Sequence, residues 1–125
     1  MNILTKILGA FFIIFGITKI IPVLGFGYGF AGTVGFVASI GYPFAAALVA
    51  AAIITEIILG LLLLLRPADS KEVKYAGYGL LAFTVLATLM FHVPFIGAET
   101  LTAELTATLK NVVTVAALWA ITQTA

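Results

Sequence analysis

The stretch Ala45–Leu65, AAALVAAAIITEIILGLLLLL, decides how the chain is read. A helix crossing the hydrocarbon of a bilayer needs about 20 apolar residues, and this run supplies them without a turn-forming break. Its apolar side chains occur on every face, as in a helix with no aqueous side. One residue disagrees. Glu56 sits near the middle of the run, where a charge costs roughly 2.5–3.5 kcal/mol on insertion scales, and such groups mark functional sites by default.

The rest of the chain has the same character. It has 125 residues, of which 63% are hydrophobic and 9% charged. Soluble domains carry about 25% charged residues, so there is too little polar surface here to face water all round. The expected class is therefore an all-α integral membrane protein, with residues 1–125 forming a single transmembrane domain. A formal net charge of +1 leaves no basic patch for a nucleic-acid partner. The chain has no cysteine, which excludes thiol catalysis, disulfide exchange, iron–sulfur clusters and thiolate zinc sites built from this chain. A lone histidine, His92, with no second one beside it predicts no metal site.

Working outward from Ala45–Leu65, hydropathy and turn residues divide the chain into four spans. The first covers about 4–21 and stops at Pro22, which lacks a backbone donor. It begins like a signal peptide, but no A-x-A site follows and Lys19 interrupts its end, so a retained helix is expected. Residues 22–42, rich in glycine and aromatics, predict a short interfacial or re-entrant helix near 31–40, closed by Gly41 and Pro43. The second span is 43–65, the third 75–93 before Pro94, and the fourth 101–122. Connections of ordinary length between neighbours make an up-down bundle of four transmembrane helices the expected architecture.

Charge sets the expected orientation. Lys6, Arg66, Lys71 and Lys74 flank one face, and Glu99 and Glu104 the other, so both termini are expected on the cytoplasmic side of an inner, or plasma, membrane. Tyr75, Tyr78 and Trp119 then fall at the inner interface, and Tyr28 and Tyr42 at the outer one.

The candidate site is the set of polar groups at membrane depth. With a rise of about 1.5 Å per residue, Glu56 lies ~15 Å above Arg66, Lys19 ~20 Å above Lys6 and Asn111 ~21 Å above the C-terminus. His92 is farther out, ~27 Å above Lys74 by the same rise, and is expected as the outer member of the same ligand-binding polar cluster with Lys19, Glu56, Lys110 and Asn111. Glu56 is therefore expected to meet Lys19 or Lys110, with Asn111 close by and Thr84 and Thr88 in support. Gly9 and Gly16 share a face of the first span and Ala52, Glu56 and Gly60 a face of the second. Such small-residue stripes let helices approach closely, within one bundle or in a homo-oligomer. The same polar set can also act as interhelical glue, worth about 0.6 kcal/mol per hydrogen bond in membranes.

Several ordered segments carry a family likeness: G-I-T-K at Gly16–Lys19, F-V-A-S-I-G-Y-P at Phe36–Pro43, T-E-I-I-L-G-L-L-L-L-L at Thr55–Leu65, F-H-V-P-F at Phe91–Phe95 and K-N at Lys110-Asn111. Together they resemble the DoxX family of small four-helix membrane proteins. The resemblance implies a place in a membrane redox system, since members are linked to quinone-dependent oxidoreductases and redox-stress complexes. More distant relatives are membrane chaperones or cargo receptors. The expected function is therefore a membrane subunit that binds a quinone or similar lipophile at an intramembrane polar site. Electrons would come from a membrane or soluble redox partner, because no flavin, haem or cluster motif is recognisable, and the expected role is that of an oxidoreductase subunit rather than a complete enzyme. The alternatives are a chaperone or assembly factor, or a small proton-coupled transporter whose glutamate would need to be unpaired.

Overall fold

The computed structural model describes residues 2–22, 28–91 and 101–124, with side chains over 3–22, 28–90 and 107–123. Among the described residues there are five α-helices and no strand: α1 (Asn2–Thr18), α2 (Gly29–Ile40), α3 (Ala45–Leu65), α4 (Lys71–Phe91) and α5 (Leu101–Thr124). The all-helical expectation is met.

Local chemistry explains the ends. α1 stops at Thr18 rather than running to Pro22. The Thr18 hydroxyl turns back onto the Phe15 carbonyl at 2.8 Å, and the Ile20 and Ile21 amides both close onto Ile17. α2 ends at Gly41, whose φ of 107° is left-handed and whose amide bonds the Ala38 carbonyl, a cap that glycine adopts without steric penalty. α3 ends where Arg66 goes extended ahead of Pro67, as a residue before proline is driven to do. α4 begins at Lys71, not Tyr75, because the Ser70 hydroxyl accepts the Val73 amide at 3.3 Å and so caps a polar first turn that hydropathy alone passes over.

Four of the helices close a ring. α1 packs on α3, α3 on α4, α4 on α5 and α5 back on α1, while α2 lies against α3. Neighbours run antiparallel. Lys6 reaches Leu63 and Arg66, Gly9 faces Gly60 and Gly16 faces Ile57. Across α4 and α5, Gly77 faces Thr122 and Thr88 meets Asn111. The small-residue stripes of α1 and α3 are thus occupied by each other inside the chain.

Packing is uneven along the ring. Near the basic end, Leu8, Phe12, Leu63, Val73, Ala76, Leu80, Leu118 and Ile121 form a filled core. At the other end Val37 of α2 packs on Val49 and Ile53 of α3. Lys6 donates to the carbonyls of Leu63 and Arg66 at 3.2 and 2.6 Å, so a cation borrowed from α1 satisfies the C-terminal end of α3. The outward faces are apolar: Ile54, Ile58, Leu61, Leu65, Leu86, Leu89, Val112 and Val113 are all exposed. Among the described residues, two helical stretches, Ala45–Leu65 and Lys71–Met90, are long and apolar enough to cross a membrane.

Candidate functional site

Beyond the filled core, residues of all five helices line a cavity of about 360 Å³, with Thr33, Phe36 and Val37 contributed by α2. Phe12 belongs to both the core and the cavity lining, and so forms the floor. Four of the polar residues expected from the sequence, Lys19, Glu56, Lys110 and Asn111, line this one space, and Thr84 joins them. They arrive from four different helix segments, which is why chain order hides their proximity.

The centre is an ion pair. Lys19 Nζ lies 2.6 Å from Glu56 Oε1, and the Glu56 side chain is 5% exposed against 27% for Lys19. Two features aim the pair inward. The small residues Gly16 and Gly60 bring α1 and α3 together around it, and the end of α1 at Thr18 leaves Lys19 in the turn, where its ammonium also points at the Phe15 carbonyl, 3.4 Å away. Burying the two charges is tolerable because each neutralises the other; removing one partner from such a pair typically costs about 3–5 kcal/mol. At that distance the contact is a charge-assisted one between ammonium and carboxylate.

Lys110 takes a different place. Its Nζ sits over the Phe15 ring, 4.4 Å from the centroid. That ring face attracts a cation by about 0.5–2 kcal/mol. Lys19 and Lys110 therefore use opposite features of one residue, the backbone carbonyl and the ring of Phe15. Both ammonium groups and the Glu56 carboxylate act on one another electrostatically.

Asn111 donates to the Thr88 hydroxyl at 2.9 Å, tying α5 to α4. Thr88 in turn donates to the Thr84 carbonyl and Thr84 to the Leu80 carbonyl, at 2.7 and 2.8 Å. The two threonines are thus bonded to their own helix. Thr88 stands behind Asn111 and orients its amide rather than lining the cavity, and Thr84 contributes to the wall. His92 lies outside the described residues, as does Pro94.

Sequence reasoning missed the walls. Phe11, Phe15, Phe36, Phe83 and Met90 surround the polar groups, and Thr33, Thr55 and Thr114 add hydroxyls whose protons go to the helix backbone at Gly29, Ala51 and Lys110. No sequence signal separates these phenylalanines from the other apolar residues of uniformly apolar helices. The Tyr42 hydroxyl donates to the Met90 carbonyl at 2.9 Å and fixes the α2–α3 turn to the end of α4 beside the cavity. The rim includes the exposed residues Leu48, Ala51, Leu86 and Lys110, so the space opens on the flank of the bundle beside α3, α4 and α5.

Chemically, the arrangement offers flat aromatic and aliphatic walls with a few convergent donors at one end. That is the usual constitution of a small-molecule pocket, whose volumes start at about 300 Å³. The DoxX family model matches residues 3–93, which carry Lys19, Glu56 and most of the cavity wall. No curated protein and no solved structure matches the chain.

Proposed function

Since the chain belongs to the DoxX family, which is membrane-associated, we propose that α1, α3, α4 and α5 all cross an inner (plasma) membrane and that the cavity among them binds a quinone or a similar flat lipophile. The observation that carries this reading is the coincidence of Lys19, Glu56, Lys110 and Asn111 in one aromatic-walled space. Phe11, Phe15, Phe36 and Phe83 suit a planar ring, and the lysines and the Asn111 amide suit its carbonyl oxygens. An opening between exposed apolar residues lets such a molecule arrive from the lipid. The cluster of Lys6, Arg66, Lys71 and Lys74 at one end of the ring supports a cytoplasmic position for that end and for both termini.

As a redox subunit, the protein would receive electrons from a partner, while its own residues hold the ring and manage protons. Reduction of a quinone to a quinol takes up two electrons and two protons. Proton delivery would fall to the Lys19–Glu56 pair as a unit, the ammonium giving a proton to a ring oxygen and the carboxylate beside it returning one to the amine. Extraction and chromatography of lipophiles from the purified protein test the reading. A quinone recovered with the wild type and depleted in Glu56→Gln supports it; wild-type protein free of any quinone contradicts it.

Two other readings draw less support. A membrane chaperone would use the same open flank to hold a client helix, and would keep that client after Glu56→Gln. A proton-coupled exporter works through a carboxylate free to exchange proton for cargo, whereas Glu56 is engaged by Lys19 at 2.6 Å.

A further inference from the structure

Among the described residues the charges lining the cavity do not balance. Among the described residues, three ionisable side chains line it: Lys19, Glu56 and Lys110. Lys19 and Glu56 neutralise each other at 2.6 Å. Lys110 has no carboxylate within ion-pair distance among the described residues; its ammonium rests on the Phe15 ring. A ring face lowers the energy of a cation but supplies no opposing charge. An unmatched cation beside hydrocarbon is expensive, so a bound anion there gains what Lys110 lacks.

We infer that the cavity takes a lipophilic organic monoanion, a flat ring system whose carboxylate or enolate oxygen seats against Lys110. This deepens the ligand reading above and rests on it. The walls set the body of the ligand: phenylalanines from α1, α2 and α4 leave space for one ring system of modest size. The charge count sets its head. One surplus ammonium matches one negative charge, and Asn111, already oriented by Thr88, stands one helical step from Lys110. A small inorganic anion would lose its water for too few donors among apolar walls. A phospholipid brings two chains and a glycerol that a space of about 360 Å³ does not hold.

The test uses the full chain in discs of phosphatidylcholine. The probes are an alkyl-substituted hydroxynaphthoquinone, ionised at neutral pH, and its uncharged methyl ether. The two share ring and chain and differ in charge. The expected result is binding of the ionised compound at least about tenfold tighter, the factor one modest charge-assisted contact supplies. Lys110→Gln is expected to collapse that ratio and Lys110→Arg to keep it. Equal binding of the two compounds by the wild type overturns the inference while leaving the ligand reading intact, as does a ratio unchanged in Lys110→Gln. Binding of neither compound overturns both. Displacement of the ionised compound by phosphatidylglycerol at equal concentration assigns the cation to a lipid headgroup and overturns the ring-anion assignment.

Discussion

Gly9 and Gly60 meet across the crossing of α1 and α3 with no space for a side chain: a Cβ on Gly9 would lie 2.7 Å from the Gly60 carbonyl oxygen and 2.8 Å from the Leu64 amide nitrogen. Both neighbours are backbone, so neither can rotate away. Only separation of the helices relieves the clash, and the Lys19–Glu56 pair lies farther along the same crossing.

Gly9→Ala is therefore expected to destabilise the bundle by about 1–3 kcal/mol, the usual range for overpacking. Gly35 of α2 is its control, since a Cβ there meets nothing within 4 Å. Gly35→Ala should be neutral or stabilising by up to about 1 kcal/mol, the difference in helix propensity. Thermal unfolding of both variants in detergent checks the contrast. Equal effects at the two positions would refute the close crossing.

The ion pair makes a coupled prediction. Lys19→Met strands Glu56 and should cost about 3 kcal/mol, as breaking a buried pair does, and Glu56→Gln should cost less because it leaves the more exposed partner. Lys19→Met with Glu56→Gln should be less destabilised than the sum of the single variants. A double-mutant cycle on unfolding free energy reads the coupling; simple additivity would mean that the pair does not form.

The Tyr42 hydroxyl ties the α2–α3 turn to the Met90 carbonyl. Tyr42→Phe removes that bond at an expected cost of about 1 kcal/mol. Amide exchange should accelerate in α2 and the first turn of α3 and stay unchanged in the core around Leu63 and Leu80. Uniform acceleration would show that the turn does not act as a local clasp over the cavity.

Orientation is open to direct labelling because the natural chain contains no cysteine. Asp69→Cys, in the connection between α3 and α4 at the basic end, is expected to resist an impermeant maleimide in intact cells and to react in inverted vesicles. Labelling from outside would reverse the proposed topology.

The amount legible in the sequence differs from residue to residue. α3 was readable because its apolar run is bracketed by Pro43 and Arg66-Pro67, and Glu56 stood out because a charge is rare there. Counting helical rise placed Lys19 and Lys110 at the depth of Glu56, yet could not choose between them. The choice follows from where α1 ends: stopping at Thr18 swings Lys19 onto Glu56, while Lys110 settles on Phe15. The first turn of α4 was missed since Lys71, Glu72 and Lys74 read as a loop until the Ser70 cap is seen. The aromatic walls left no trace because helices apolar on all sides give no periodicity to show which phenylalanine faces inward. His92 falls outside the described residues.

The central claim is that the cavity between α1, α3, α4 and α5 is a ligand site and not a packing defect. Native mass spectrometry of the protein released from lipid discs with a short-chain quinone tests it most directly, with Ala52→Trp as the comparison, since Ala52 lines the cavity and its replacement fills it. The account predicts a one-to-one quinone adduct on the wild type that disappears in Ala52→Trp while the helical melt is retained. Absence of an adduct on the wild type, or an adduct of equal intensity on Ala52→Trp, would contradict it.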